Sequence, residues 1–286
     1  NNVNGIDTDY NKDGRGIEFF YTQDKRVLSL QRAYVRKVID TVNDLDNVFY
    51  EIANELQAPD WQYEMIKFVK EYERNKPKQH LVLMSAGGRT RAGRWQQMPR
   101  GVLTSSPADC FAVAGSWNSR AYRQKNPPAN DAGKPGIVDM DHVSAGSSDV
   151  AFVWTAFTRG YNFNLYDKPF ESPDSEGEDW RRIRRNIRQT VVYGERMDLA
   201  DTAPRDSLAS TGFCLAKPGR QYVVYQPGDQ PFEVSGLEKG ASYHFEWYDT
   251  GRHRVTEEGD LTCTDVAQSF APPSKGAVLF LIRSSR

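Results

Sequence analysis

The sequence has few cysteines, no surplus of charge and no long apolar run. Its 286 residues include three cysteines, Cys110, Cys214 and Cys263, whose spacing fits neither a zinc site nor a dense disulfide framework. We expect buried thiols, with a Cys214–Cys263 disulfide as the alternative. The formal net charge of -1 gives no strong field for nucleic acid, and no apolar run approaches the roughly 20 residues of a membrane span. The sequence therefore predicts neither a nucleic-acid partner nor a membrane partner.

Several catalytic motifs are missing as well. No His/Cys cluster indicates catalytic zinc, the serines lack a nucleophile-elbow context, and Gly87-Gly88 is too short for a phosphate loop. The sequence shows no signal peptide, but it starts on Asn1, so we expect that the chain is processed or truncated at this end. Aromatic residues, in contrast, make up 12% of the chain, a share that core packing and sugar-stacking platforms would both use.

Helical and strand patterns alternate between residues 28 and 198. Apolar positions with a period near 3.6 predict four helices, at 27–42, between Asp60 and Pro77, at 149–157 and at 180–197. Asp60 is the expected N-cap of the second helix. Short apolar runs predict five strands, at 47–53, 80–84, 110–113, 136–141 and 163–166. Such alternation is typical of an α/β fold with a parallel sheet and crossover helices. A closed eight-stranded barrel would need three more strands, so the sheet is either open or lacks its N-terminal part.

The pattern changes after about residue 204. Six short strands follow at near-regular spacing, separated by turn pairs such as Pro218-Gly219 and Lys239-Gly240; they are predicted at 213–216, 221–225, 232–234, 242–247, 266–270 and 277–282. This pattern is typical of a small antiparallel β-sandwich. We therefore predict an α/β domain over residues 1–203 and a β-sandwich domain over residues 204–286, with the long helix packed against the sandwich.

The segment from Asn47 to Glu55 carries the main functional signal. Its β-branched and aromatic residues predict a strand that ends at the polar pair Asn54-Glu55. A carboxylate that follows a parallel strand is placed where barrel enzymes present catalytic groups. Glu55 is therefore the first candidate catalytic residue, and a helix cap or a pairing with an arginine is the alternative.

The N-terminal segment has a pattern suited to a hard cation. Oxygen-bearing side chains occur at every second position and are followed by Gly14 and a glutamate; the candidate ligands are Asp7, Asp9, Asn11, Asp13 and Glu18. The match to an EF-hand loop is imperfect, because no single starting residue places both the glycine and the terminal glutamate correctly. A structural Ca²⁺ site is predicted here, and a solvated acidic loop is the alternative.

Three groups of residues resemble one enzyme family. The run Asn47-Val-Phe-Tyr-Glu-Ile-Ala-Asn-Glu55 resembles the clan A, cellulase-like glycoside hydrolases, which are (β/α)8 barrels with an Asn-Glu pair at the end of strand four. The segment Tyr34 to Asp46, together with Asp139-Met-Asp-His142 and Phe157-Thr-Arg-Gly160, is similar to secreted bacterial members of that clan. The C-terminal segment from Gly219 to Phe280 is similar to the collagen-binding-type sandwich that many of those members carry. The term collagen-binding is only the name of that domain family, and nothing in the sequence indicates that this chain binds collagen.

The resemblance implies a fold and a mechanism. The five strands would be strands four to eight of a TIM-type barrel, with strands one to three missing. Glu55 would be the general acid/base, and Asn54 would hold the sugar 2-hydroxyl. The clan places a nucleophilic Glu after strand seven, where this chain has Asp139 and Asp141. These two aspartates lie on one face of the predicted strand, so spacing does not choose between them, and the resemblance favours Asp139.

The replacement of Glu by Asp bears on the mechanism. A direct nucleophile requires carboxyl groups roughly 5–5.5 Å apart, whereas an inverting base requires roughly 6.5–9.5 Å. Asp is one methylene shorter, which leaves the stereochemical outcome open although the clan is retaining. No cofactor is expected for catalysis.

The remaining candidates are residues that would bind the substrate. Asp141 and His142 on the strand-seven loop, and the aromatic residues Trp117 and Tyr166, are the predicted sugar contacts. His142 could equally be structural, and Trp154 lies on an apolar helical stripe, where a core position is favoured over a sugar platform. The prediction is a secreted or periplasmic glycoside hydrolase acting on a plant or microbial polysaccharide. The alternative is a non-catalytic carbohydrate-binding or structural protein on a degenerate or truncated barrel.

Overall fold

The computed structural model describes residues 5–21, 24–85, 87–112, 126–139, 147–165 and 177–284, with side chains for all of these except 139 and 147–149. The chain forms two compact units, residues 1–118 and 119–286. Among the described residues, no helix is both long enough and apolar enough to cross a membrane.

The described part of the first unit contains three α-helices and five strands. In chain order they are α1 (Lys25–Val42), β1 (Tyr50–Glu51), α2 (Pro59–Glu73), β2 (Val82–Met84), β3 (Gly87–Arg89), β4 (Trp95–Gln97), α3 (Arg100–Thr104) and β5 (Cys110–Ala112). Strands β1, β2 and β5 pair in parallel in that order, as the sequence predicts. Strands β3 and β4 form an antiparallel hairpin that the sequence analysis missed.

The two long helices of this unit begin in different ways. Asp24 caps α1, because its side chain accepts a hydrogen bond from the backbone N–H of Arg26 at 2.8 Å. The predicted cap of α2 is wrong: Ala58 is the N-cap, Pro59 is the first helical residue, and Asp60 lies inside the first turn. Proline is favoured at the first helical position because its fixed φ suits the helix. The N–H that proline lacks would have no partner within the helix there.

The second unit combines two parallel strands with a larger antiparallel region. Its first elements are β6 (Gly136–Asp139), α4 (Ser147–Thr158), β7 (Tyr161–Asn164) and α5 (Glu178–Arg196), with β6 and β7 parallel. The strands that follow are β8 (Ala203–Pro204), β9 (Cys214–Lys217), β10 (Gln221–Gln226), β11 (Phe232–Ser235), β12 (Ser242–Asp249), β13 (Arg254–Thr262), β14 (Ala267–Phe270) and β15 (Ala277–Arg283). All six predicted strands of this region are present, and the short strand β8 and strand β13 were missed.

A six-stranded antiparallel sheet, in the order β13-β12-β15-β10-β9-β8, forms the centre of the second unit. Side chains alternate between its faces. On β10, Tyr222 and Val224 contact the two-stranded sheet β11–β14, whereas Val223 and Tyr225 belong to a cluster with Trp154 of α4. The sheet is thus covered on one face by strands and on the other by α4 and α5. The predicted packing of the long helix against this region is observed, while an independent sandwich domain at 204–286 stays a prediction.

The three cysteines are buried free thiols, as predicted. Burial raises the pKa of the Cys214 thiol to about 12, because the apolar surroundings disfavour the thiolate. A thiol that stays protonated at neutral pH is a poor nucleophile, so Cys214 acts as a small core residue.

Candidate functional site

Glu55 lies in the loop beyond the carboxyl end of β1. Its backbone has the left-handed conformation, with φ of 52°, which a non-glycine residue adopts at an energetic cost of about 1–3 kcal/mol. Such conformations persist where the surrounding structure enforces them, and they are concentrated at functional sites.

The β3–β4 hairpin enforces this conformation. The Glu55 carbonyl accepts a hydrogen bond from the Arg89 N–H at 2.8 Å, and the Gln57 N–H donates to the Arg89 carbonyl at 3.1 Å. Residue 88 lies directly against the loop: a Cβ on Gly88, which has φ of 155°, would lie 1.7 Å from the Glu55 carbonyl carbon. Only glycine fits at this position.

The side chain of Gln62, on α2, also holds the Glu55 loop in place. Its fully buried amide donates from Nε2 to the Leu56 carbonyl at 2.9 Å and accepts at Oε1 from the Ser85 N–H at 3.2 Å. The amide therefore connects the residue after Glu55 to the end of β2. Both buried backbone groups are satisfied, as a rigid loop requires.

The Glu55 and Asn54 side chains are exposed to solvent. Within the described residues, no hydrogen bond or ion pair reaches the Glu55 carboxylate, so neither of the two alternatives, a helix cap or an arginine pair, is observed there. A carboxylate that is exposed, unpaired and held on a rigid backbone is free to exchange a proton with a ligand.

For Asp139, the second predicted catalytic residue, the structure describes the backbone only. Asp139 is the last residue of β6 and pairs in parallel register with Asn164 of β7, so it occupies the carboxyl end of its strand as predicted. Its side chain lies outside the described part of the chain. Four other predicted site residues also lie outside the described residues, namely Asp141, His142, Trp117 and Tyr166.

One tryptophan lies in the core, as the sequence favoured, and another was missed by sequence reasoning. Trp154 is fully buried, and its Nε1 donates to Asn186 Oδ1 at 2.7 Å, so it is a core residue and no sugar platform. Trp95, which sequence reasoning missed, is 54% exposed on β4, directly across the hairpin from Arg89. It is therefore an exposed aromatic ring on the hairpin that positions Glu55. Its isolated position between polar residues gave no periodic signal in the sequence.

Of the five predicted cation ligands, the structure brings three together. Oxygens of Asp9, Asp13 and Glu18 lie within 4.8 Å of one another. Asp7 is not part of this group, and its Oδ1 accepts from the Asp9 N–H at 3.0 Å. Asn11 accepts from the Asp13 N–H at 2.9 Å.

A buried ionic network lies at the opposite end of the parallel strands. The Glu73 carboxylate accepts from the Tyr50 hydroxyl at 2.9 Å and lies 2.9 Å from His80 Nδ1. The hydrogen bond to Glu73 is the main reason that the pKa of His80 is raised. Burial alone would raise the pKa of Glu73, but hydrogen bonds from His80, Tyr50 and Asn43 outweigh it, so this pKa is lowered. Tyr50 begins β1 and His80 precedes β2, which marks this end as structural, because barrel enzymes react at the carboxyl ends of their strands.

We compared the chain with known families, curated proteins and solved structures, and only the solved structures gave a match. Neither the sequence profile of a protein family nor a curated protein matches the chain. Among solved structures, a glycoside hydrolase has a TM-score of 0.63 at 13% identity, over 91% of this chain and 70% of its own. A glycoside hydrolase family 5 protein from Bacteroides vulgatus has a TM-score of 0.60 at 13% identity, over 90% of this chain and 67% of its own.

A third neighbour is the catalytic domain of GH30 xylanase C from Talaromyces cellulolyticus, with a TM-score of 0.50 at 9% identity, over 89% of this chain and 67% of its own. At such identities the likeness is one of fold alone. The chain is a mixed α/β protein with parallel strands, consistent with part of a TIM-barrel glycoside hydrolase.

Proposed function

We propose that this protein is a glycoside hydrolase in which Glu55 is the general acid/base. The observation that carries the proposal is the Glu55 loop: an exposed carboxylate, unpaired within the described residues, on a left-handed backbone at the carboxyl end of a parallel strand. The fold likeness to glycoside hydrolases supports the reaction class. The cellulase-like specificity and a secreted or periplasmic location belong to the proposal.

Glycoside cleavage requires two carboxyl groups with different tasks. Glu55 protonates the leaving oxygen, and Asp139 attacks the anomeric carbon or activates water, with Asp141 as the alternative for this second task. Asn54 binds the 2-hydroxyl of the sugar, and His142, Trp117 and Tyr166 contact the rest of the substrate. The resemblance of Asn54-Glu55 to the clan A motif supports a retaining reaction, which NMR of the first-formed anomer would test.

Trp95 extends the proposal to a substrate platform. Its exposed ring lies on the hairpin whose Arg89 holds the Glu55 backbone, so a sugar stacked on it would be close to the acid. Trp95→Ala should raise KM several-fold with a smaller effect on kcat, whereas Trp95→Tyr, which keeps an aromatic face, should remain near wild type. Equal kinetics for Trp95→Ala and wild type would exclude the platform.

The decisive experiment is hydrolysis of polysaccharides and aryl glycosides by wild type and Glu55→Gln. Loss of a general acid should lower the rate on substrates with poor leaving groups by about 10²–10⁴-fold. The loss should be much smaller for a nitrophenolate-type leaving group, because this group departs without protonation. The comparison uses kcat/KM, which reports the first bond cleavage and not the later hydrolysis of a covalent intermediate. A uniform loss of kcat/KM on both substrate classes would indicate a structural role for Glu55 and contradict the proposal.

Glu71→Gln is the matched control, because Glu71 is an exposed glutamate of α2 whose ion pair with Arg74 lies on the surface. It should leave both rates unchanged.

The alternative proposal is that the protein binds carbohydrate without cleaving it. The aspartate at position 139, where the clan has a longer glutamate, favours this alternative. Polysaccharide binding without turnover by the wild-type protein would select this alternative.

A further inference from the structure

Two clusters of metal-ligating side chains occur among the described residues, and only one of them lacks a compensating charge. In the first, formed by His244, Glu246 and Glu258, the Glu246 carboxylate accepts hydrogen bonds from both terminal nitrogens of Arg196. The guanidinium neutralises this buried acid, so the cluster needs no ion. The second cluster consists of Asp9, Asp13 and Glu18.

Glu18 is the unusual member of the second cluster. It belongs to the short 3-10 turn Ile17–Phe20, its exposure is only 1%, and both carboxylate oxygens are buried with no hydrogen-bond partner in the described part of the chain. An unpaired buried carboxylate is strongly unfavourable, since nothing replaces the water it has lost. Either a proton or a cation must therefore accompany this side chain.

The neighbours of Glu18 decide in favour of a cation. A proton on Glu18 would leave the two aspartates beside it uncompensated, whereas one divalent ion would offset most of the combined charge of the three acids. Asp9 is held in place by the N–H groups of Asp13, at 3.1 Å, and Gly14, at 3.0 Å. Among the described residues, the cluster's ion pair joins Asp13 to exposed Arg15 at 4.0 Å, and it leaves Glu18 without a cationic partner.

We propose that Asp9, Asp13 and Glu18 bind a structural Ca²⁺ ion. Oxygens on opposite sides of a calcium ion are about 4.8 Å apart, twice a bond length of about 2.4 Å, and the three oxygens here lie within 4.8 Å of one another. All three ligands are hard carboxylates, with no nitrogen or sulfur, which suits calcium better than zinc. Exposed Asp13 leaves one side open for water ligands.

The ion would anchor the N-terminal segment to the loop that carries Glu55. Phe19 accepts at its carbonyl from Gln31 Nε2 of α1 at 3.0 Å, and Phe20 packs edge-on against Trp61 of α2. The Tyr21 hydroxyl donates to the carbonyl of Gln57, two residues after Glu55. The calcium proposal itself stands independently of any hydrolase activity.

Calcium binding and thermal unfolding test the proposal. Titration of the metal-free wild-type chain with CaCl2 should give one site by calorimetry, and Tm should rise by roughly 5–10 °C at calcium about 100-fold above Kd. In Glu18→Gln, calcium binding should weaken at least 100-fold. The same variant should be at least as stable as wild type in EDTA, because it removes a buried unpaired charge.

Three outcomes would overturn the proposal: a wild-type Tm that is the same in EDTA and calcium, unchanged calcium affinity in Glu18→Gln, or equal stabilisation by Mg²⁺. Asp13→Asn provides a second variant at an exposed position that does not threaten folding, and it should weaken calcium binding at least 10-fold. Glu71→Gln, a matched substitution on the surface of α2, should keep the wild-type calcium response.

Discussion

At the scale of single residues, the position of Glu55 depends on an absent side chain. Gly88 lets the β3–β4 hairpin approach the Glu55 backbone closely enough for Arg89 to hydrogen-bond on both sides of Leu56. The contact is between backbone atoms, which cannot rotate away. The geometry of the loop is therefore set by a residue that carries no functional group.

Gly88→Ala should destabilise the protein by about 2–4 kcal/mol, because the new methyl group overlaps the Glu55 peptide. Urea unfolding measures this loss. Gly101→Ala is the control: no atom lies within 4 Å of a Cβ at Gly101, which is in α3, and alanine there should be neutral or stabilising by up to about 1 kcal/mol. Similar effects of the two substitutions would contradict the close approach at Gly88.

The Glu73–His80 pair makes stability depend on pH. The raised pKa of His80 adds stability that is fully present below the unfolded value of about 6.5 and is lost as pH rises through the folded pKa. The lowered pKa of Glu73 adds stability that is present above its unfolded value and is lost as pH falls through the folded pKa. The pair is therefore most effective between about pH 4.5 and 6.5.

His80→Gln should reduce stability most within this window, and the difference from wild type should shrink as pH rises above about 6.5. Each unit by which the pKa of His80 is raised corresponds to about 1.4 kcal/mol at the lower pH. Denaturant unfolding across the pH range measures the difference. His244→Gln is the control for loss of a histidine, because His244 is a partly exposed residue of β12. A difference that does not change with pH would show that His80 contributes by packing alone.

At the scale of elements, an ion pair and an aromatic stack are among the contacts that attach α5 to the antiparallel sheet. Arg196 Nη1 donates to Glu246 Oε2 at 2.9 Å, and its guanidinium lies 4.5 Å from the ring centre of Phe280. The Tyr193 ring stacks on Phe280 at 4.5 Å. Glu246 is buried, so its charge depends on this arginine.

Arg196→Met should destabilise the protein by about 2–4 kcal/mol, since it removes the arginine that pairs with the buried Glu246 carboxylate. The double variant Arg196→Met with Glu246→Leu should regain most of that loss, because no charge remains to be buried. Guanidinium unfolding of the two single variants and the double variant gives the coupling energy. Additive effects in this cycle would mean that the pair does not interact.

At the scale of the whole molecule, the antiparallel sheet depends on helices that precede it in the chain. Its helix-facing side chains, among them Leu215, Val223 and Phe280, form one cluster with Trp154 and Tyr193. A cut at residue 204 would expose this face. Large exposed apolar surfaces cause aggregation in monomeric proteins.

A fragment of residues 204–286 should therefore bind the dye ANS strongly and lack a cooperative unfolding transition. A fragment of residues 126–286, which keeps α4 and α5, should unfold more cooperatively and bind less dye. Calorimetry and fluorescence compare the two. A cooperative, dye-free 204–286 fragment would instead support the independent sandwich domain predicted from the sequence.

The sequence predicted those parts of the fold and site that depend on local pattern. The periods of α1, α2, α4 and α5, and the carboxylate after β1, are visible in the residue order. Strand β13 (Arg254–Thr262) was missed because its sequence is charged and lacks an apolar run. It is the edge strand of its sheet, and edge strands commonly carry charged side chains. On α1, the aromatic residue Tyr34 is exposed although it fits the helical period of apolar residues. Gln31 is buried instead, because it hydrogen-bonds to Phe19 and Trp61.

By itself, the sequence determined the order and type of the main elements, the buried thiols and the position of Glu55 after a strand, since all of these follow from local periodicity and polarity. The tertiary structure alone decided that Gly88 holds Glu55 in a left-handed conformation, that Trp95 is exposed on the β3–β4 hairpin, and that Glu18 is buried with no hydrogen-bond partner among the described residues. Each of these depends on a contact between segments that are separate in the chain. Such contacts form when chain segments pack together and leave no periodic signal in the sequence.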